Sequence, residues 1–274
     1  MDSNGNVIIH EGRSRTFDFH IPPAIVAAKK PAPVVIGLHG GGGNAKIHNR
    51  QTRMDEAADR FGFIAVRPEG TGALPGSYTW NGGACCGYAV ERNVDDVGFL
   101  STLIDKLAAR PEVDPKRIYL SGFSNGAMMA LRVAAEKPAR IAAVCAVGAT
   151  AGIDLPDAHQ VVPYLAIHGE EDKNAPPAGG IGTNAFSKIE HQPVLNVCVK
   201  WARGESPMAP DPKIFNDFIT FNWYRETIVR LYYLFNGGHT WPGGVDVRNG
   251  QDGPLIATFD ANAVMWEFFS RFTR

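Results

Sequence analysis

Five residues, Gly122-Phe123-Ser124-Asn125-Gly126, leave this chain few architectures to choose from, because they stand between a strand-like run, RIYLS, and a helical run, AMMALRVAAEK. A serine on so sharp a strand-to-helix turn needs small neighbours, since its backbone is strained and the two flanking segments approach closely. Glycine on each side supplies that room. The turn lifts the hydroxyl above a sheet, and the helix starting beneath it offers free N–H groups and the positive end of its dipole. The pattern predicts Ser124 as a nucleophile carried by a sheet whose strands alternate with helices.

The rest of the chain meets that demand. Strand-like segments at 6–10 and 14–20 are followed by PVVIGLH, which ends at His39, an amphipathic stretch over about 47–61, and FIAVR at 63–67. A Gly- and Pro-rich excursion runs from Pro68 to about Glu91, before helical periodicity over 94–109. After RIYL at 117–120 come a helix from Gly126 to Lys137, AAVCAV at 142–147, VPYLAIH at 162–168, a strand near 228–235 and a helix from about Thr258 to Phe272. This alternation predicts the α/β class, with a mainly parallel central sheet and helices on both faces. Ligands of such sheets bind beyond the carboxyl ends of the strands. Residues 169–217 are rich in Gly and Pro and carry no clear period. No repeat or linker divides the chain, so 1–274 is expected to form one catalytic domain.

Charge and composition remove several functions. Lys and Arg (27) nearly balance Asp and Glu (28), for a net charge of -1, and no basic stripe offers itself to nucleic acid or an anionic membrane. The longest apolar runs, at 141–147 and 161–167, fall far short of the roughly 20 residues that span a bilayer. The start, MDSNGNVIIHEGRSR, lacks a basic-then-apolar signal pattern, so either a cytoplasmic protein or a removed signal is expected. Without HExxH, a CxxC pair or an acidic calcium loop, no metal and no other cofactor is expected. Four cysteines, Cys85, Cys86, Cys145 and Cys198, allow three pairings. Cys145, inside a strand-like run, reads as a small hydrophobe, and adjacent Cys85 and Cys86 read as packed thiols or a disulfide partner.

A serine hydroxyl is a poor nucleophile until a base takes its proton. Of the eight histidines, His239 in NGGHTWPGG follows an apolar run and precedes the last helix, which suits the chain order serine, acid, histidine. His10, His20, His48, His159 and His191 read as packing or surface residues. The acid is expected at Asp172 in YLAIHGEEDKN, just past a strand and between the other two. Glu170 and Glu171 are its neighbours, and Asp154 and Asp157 are weaker rivals. His39-Gly40-Gly41-Gly42-Gly43 ends another strand, and without GxxxxGK[ST] it reads as an oxyanion loop whose N–H groups turn inward. Gly41 is the first expected donor and Gly42 the next, acting with the N–H of Asn125. Trp80, in the excursion, and Trp241, two residues after the base, are expected to wall an acyl or phenolic group.

With these residues placed, the chain resembles the polyhydroxybutyrate-depolymerase-like and feruloyl-esterase-like branch of the α/β hydrolases. The matching text is RSRTFDFHIP at 13–22, VVIGLHGGGGN at 34–44, WNGGACCG at 80–87, NVDDVGFL at 93–100, RIYLSGFSNGAMMA at 117–130, HGEEDKN at 168–174 and GGHTWPGG at 237–244. The resemblance implies the α/β-hydrolase fold and a catalytic triad of Ser124, Asp172 and His239. It further implies a small-molecule or polymer-linked ester as substrate: hydroxycinnamoyl (feruloyl) esters first, hydroxyalkanoate oligomers or acetylxylan-type esters as alternatives. Secretion or a periplasmic location belongs to the same implication. One departure stands out, because many relatives carry further cysteines after their WA segment, where this chain has Gly204-Glu205-Ser206. A disulfide expected there is missing. The reading from another class is a non-catalytic binding protein on the same fold.

Overall fold

The computed structural model describes residues 6–155, 162–185, 187–202, 211–223 and 228–274. The chain opens with β1 (Val7–His10), β2 (Arg13–His20), α1 (Pro23–Ala28), β3 (Ala32–Leu38), α2 (Ala45–Thr52), α3 (Met54–Phe61) and β4 (Ile64–Pro68). It continues through β5 (Thr71–Leu74), β6 (Ser77–Thr79), α4 (Gly87–Glu91), α5 (Asp96–Ala108), β7 (Val113–Phe123), α6 (Asn125–Glu136), β8 (Ala143–Val147) and β9 (Tyr164–Gly169). The last third holds β10 (Gly180–Ile181), β11 (Glu190–His191), α7 (Val194–Ala202), β12 (Asp211–Ile214), β13 (Phe218–Trp223), β14 (Val229–Leu234) and α8 (Ala261–Phe269).

The main sheet has ten strands in the order β1-β2-β4-β3-β7-β8-β9-β14-β13-β12. Its centre, from β4 to β14, is parallel, and antiparallel strands close each side. This is the α/β-hydrolase fold. Alternation within each central strand explains why it forms. Val34, Ile36 and Leu38 of β3 join Ile118 and Leu120 of β7 in one core, packed with Leu103 of α5, Leu131 of α6 and Val197 of α7. Val35 and Tyr119, one residue out of phase, enter the other core with Met54, Phe63 and Phe269. A period of two with both faces apolar makes a strand that water can reach from neither side, which only a helix-covered sheet allows.

Two stretches take a form that the sequence pattern did not specify. The amphipathic stretch over 47–61 is two helices, because Arg53 turns into the left-handed region (φ 55°) between α2 and α3. The Asn49 side chain bridges the break, donating to Asp55 Oδ2 at 2.8 Å and accepting from the Asp55 N–H at 3.0 Å. The described residues of 169–217 are also more ordered than the composition of that stretch indicates. They hold the two-residue ribbon of β10 and β11, helix α7 and edge strand β12.

Segment NVDDVGFL owes its form to two different aspartates. Asp95 caps α5 by accepting from Gly98 N–H at 2.9 Å, whereas Asp96 is buried and accepts from Arg15 Nη2 at 2.7 Å and Asn81 N–H at 2.8 Å. Arg15 lies over the Phe99 ring, 3.9 Å from its centroid. One carboxylate thereby joins β2, the WNGG segment and α5. Asp96→Ala would strand the Arg15 charge in the core, and a loss of about 3–5 kcal/mol is expected in urea unfolding.

Candidate active site

Ser124 directly follows β7 with φ 53° and ψ −124°, a conformation that a non-glycine residue holds only under strain of order 1–3 kcal/mol. Close packing forces it there. A Cβ on Gly122 would lie 2.3 Å from Gly126 O, and one on Gly126 would lie 2.3 Å from Leu38 O. The Ser124 N–H is held by Val147 O at 2.9 Å, so its hydroxyl stands above the sheet at the start of α6.

The loop after β14 brings His239 to it. Ser124 Oγ lies 2.9 Å from His239 Nε2, and His239 Nδ1 lies 2.7 Å from Asp172 Oδ2. Asp172 follows β9, and its other oxygen accepts from the N–H groups of Asn174 (2.9 Å) and Ala175 (2.7 Å). Burial pushes the Asp172 carboxyl pKa up, but His239 and His168 pull harder, so it sits well below the usual carboxylate range. Asp172 therefore stays ionised beside the imidazole. Glu170 instead accepts from Asn236 N–H at 3.2 Å, and Asp154 is exposed.

The glycine loop after β3 is aimed by a residue whose part the sequence did not reveal. His39 donates from Nδ1 to Gly40 O at 2.8 Å while its Nε2 accepts from Gly70 N–H at 3.0 Å. Burial pushes its pKa down to about 4, so the ring keeps this single-proton form. Gly43 N–H also reaches Gly40 O, at 3.0 Å. Carbonyl and N–H of a trans peptide point in opposite directions, so fixing Gly40 O against the protein turns Gly41 N–H toward the cavity. Gly42, the second expected donor, gives its N–H to Tyr78 O at 2.8 Å. The N–H groups of Gly41 and Asn125 meet no protein acceptor among the described residues.

The expectation for the tryptophans is not met. Trp80 is 0% and Trp241 2% exposed, and neither lines the cavity. Trp80 donates from Nε1 to His39 O at 3.1 Å, and its backbone is gripped by the Asn125 side chain through bonds of 2.7 and 3.0 Å. It ties the glycine loop to the serine turn from behind. Trp241 packs edge-on against His48, 6.0 Å between centroids, within the α3 and α8 core. Large rings gain more from such burial than from a half-wet wall.

A cavity of about 550 Å³ opens over Ser124 and His239. Its lining includes Phe123, whose ring centroid is 4.9 Å from that of His239, and the apolar side chains of Met128 and Ile189. Cys85 and Cys86, bonded to each other, line it as well, while Cys145 and Cys198 are buried free thiols. Most of the remaining histidines pack or pair as expected: His10 with Asp95 at 2.9 Å, His20 with Asp59 at 2.8 Å, and His48 in the core. His191 lines the cavity, as does one side of His48. His159, Asp157 and Gly204-Glu205-Ser206 lie outside the described residues. Among the described residues, no helix is long and apolar enough to cross a membrane.

Residues 15–183 match the model of the esterase PHB depolymerase family. The chain belongs to that family. As an esterase PHB depolymerase family member it is a carboxylic ester hydrolase, of the branch that also holds feruloyl esterases. It is 27% identical over 260 residues to the protein named "Putative esterase NocK" of Nocardia uniformis subsp. tsuyamanensis, covering 86% of this chain and 73% of that one. Feruloyl esterase B of Piromyces equi is 29% identical over 193 residues, 66% of this chain and 34% of that enzyme. This member thus spans about a third of the Piromyces protein. Among solved structures, an acetyl xylan esterase from Aspergillus awamori superposes with a TM-score of 0.66 at 16% identity, covering 93% of this chain and 94% of that one. At that identity the likeness concerns the fold.

Proposed function

We propose that this chain is one catalytic domain that hydrolyses hydroxycinnamoyl (feruloyl) esters through an acyl-enzyme on Ser124. The observation that carries the reading is the continuous path from Ser124 Oγ through His239 to Asp172, set beside two unclaimed N–H groups. Ser124 attacks the ester carbonyl as His239 Nε2 removes its proton, and Asp172 holds the imidazole with its proton on Nδ1. Gly41 and Asn125 donate to the oxyanion. His239 returns the proton to the leaving alcohol, and water then releases the acid by the same route. A cavity of about 550 Å³ is within the range that holds a small aromatic ester, and feruloyl esterase B of Piromyces equi is a relative.

Hydroxyalkanoate oligomers are the second reading. Arg50 lines the cavity with no acidic partner among the described residues, and a guanidinium there would meet the free carboxylate of such an oligomer. Comparing kcat/KM for methyl ferulate, p-nitrophenyl butyrate and a 3-hydroxybutyrate trimer separates the readings. Methyl ferulate is expected to lead. If the trimer leads and Arg50→Gln cancels its lead, the second reading replaces the first. A fluorophosphonate probe that leaves Ser124 unlabelled would leave a non-catalytic protein on this fold.

A further inference from the structure

His168 is the last residue but one of β9, which runs between β8 and β14, and Asp172 stands four positions further on. Its buried ring comes back over the acid turn, with Nε2 2.7 Å from Ala175 O and 3.4 Å from Asp172 Oδ2. A carbonyl oxygen only accepts, so Nε2 carries the ring proton and donates it. Nδ1 is left a bare acceptor, buried without a hydrogen-bond partner among the described residues. An unsatisfied nitrogen of this kind costs about 1–3 kcal/mol, so packing alone does not account for a histidine here.

What Nε2 holds is the far side of the turn that presents the acid. Asp172 Oδ1 accepts from the N–H groups of Asn174 and Ala175, and Oδ2 faces His239 Nδ1 at 2.7 Å. The turn is closed by its own carboxylate, but it must also be kept from shifting as a body. Lys173 O accepts from Asn184 N–H and the Asn174 side chain donates to Asp252 Oδ1, both at 3.1 Å, and these partners lie outside the helices and strands. Pro176 and Pro177 follow Ala175 and have no N–H to offer. The bond from His168 ties the turn to a central strand. The titratable groups facing Asp172 are His239, His168 and, from β11, His191. Burial opposes ionisation of Asp172, but His239 and then His168 favour it, and the balance keeps the carboxyl ionised.

We infer that His168 is a positioning residue of the catalytic acid: by holding Ala175 O it keeps Oδ1 of Asp172 locked on the turn and Oδ2 aimed at His239. The inference rests on the proposed triad and adds the group that fixes its acid to the sheet. His168 touches neither substrate nor Ser124, and it acts only through Asp172. The side chain that could replace it is therefore set by reach. Glutamine carries its amide nitrogen about as far as Nε2, whereas asparagine reaches only to the place of Nδ1.

The test is kcat and KM for p-nitrophenyl butyrate in the wild type, His168→Leu, His168→Asn and His168→Gln, with thermal unfolding of each and proton NMR of the His239 Nδ1 hydrogen. His168→Leu and His168→Asn are expected to lower kcat about a hundredfold, the scale of a displacement of roughly 1 Å at the reacting groups, with KM little changed. His168→Gln is expected to stay within about fivefold of wild type. The Nδ1 proton, in a short bond to a carboxylate, should resonate far downfield of the amides in the wild type and His168→Gln, and lose that position in the other two. On an Asp172→Asn background His168→Leu should cost less than about threefold more, since residues that act through one another do not add. A folded His168→Leu within about threefold of wild type overturns the inference, as does a loss repeated in full on the Asp172→Asn background. A downfield resonance unchanged in a slowed variant overturns it too. If His168→Leu does not fold, equal kcat in His168→Asn and His168→Gln overturns it. If Asp172→Asn itself keeps its turnover, the triad reading fails and takes this inference with it. If Asp172→Asn loses turnover and His168→Leu does not, only the inference fails.

Discussion

Ser124→Ala is expected to lower kcat for p-nitrophenyl acetate by about a millionfold, the scale on which serine hydrolases lose turnover when the nucleophile is removed. The fold should hardly notice. Among the described residues Ser124 Oγ bonds only His239 Nε2, and the turn is fixed by backbone contacts, Ser124 N–H to Val147 O and Ala127 N–H to Ser124 O, both at 2.9 Å. Alanine preserves those contacts and adds no bulk. It inherits the strained φ of 53°, so its thermal unfolding should stay close to the wild type, whereas Ser124→Gly should be more stable by about 1 kcal/mol. Both variants should lose fluorophosphonate labelling. Turnover above a hundredth of wild type in Ser124→Ala would remove Ser124 from the mechanism.

Much of this arrangement was legible in the sequence because the signals were local. Glycines at 122 and 126 announce a turn where Cβ atoms would collide with backbone, and alternating apolar residues announce strands buried on both faces. The failures share a cause of another kind. Trp80 lies in the right segment, but which way its ring faces is decided by His39 O, 41 positions away in sequence. His39 aims the Gly40–Gly41 peptide only because Gly70 N–H, 31 positions on, fixes its tautomer. His191 sits on a ribbon of two-residue strands within a stretch that has no period, so nothing nearby separates it from a packing histidine. Side-chain direction set by distant partners is the information that periodicity does not carry.

Asp172→Asn is expected to lower kcat/KM by about ten-thousandfold, the cost known for presenting a triad histidine with the wrong tautomer. The neighbours of Asp172 dictate how the amide would turn. Asn174 and Ala175 direct N–H groups at Oδ1 from 2.9 and 2.7 Å, so the amide oxygen would occupy that position and the NH2 group would face His239. An NH2 group donates. His239 Nδ1, which donates to Asp172 Oδ2 at 2.7 Å, would have to become an acceptor, moving the ring proton to Nε2. Nε2 could then no longer take a proton from Ser124 Oγ, 2.9 Å away. The nucleophile would remain in place without its base, so fluorophosphonate labelling should slow with ester hydrolysis while unfolding shows an intact protein. Glu170→Gln and Asp252→Asn are the controls, since Glu170 accepts from Asn236 N–H and Asp252 Oδ1 from Asn174 and Arg248. If Asp172→Asn stays within tenfold of wild type and either control falls by a thousandfold, the acid of the triad lies there instead.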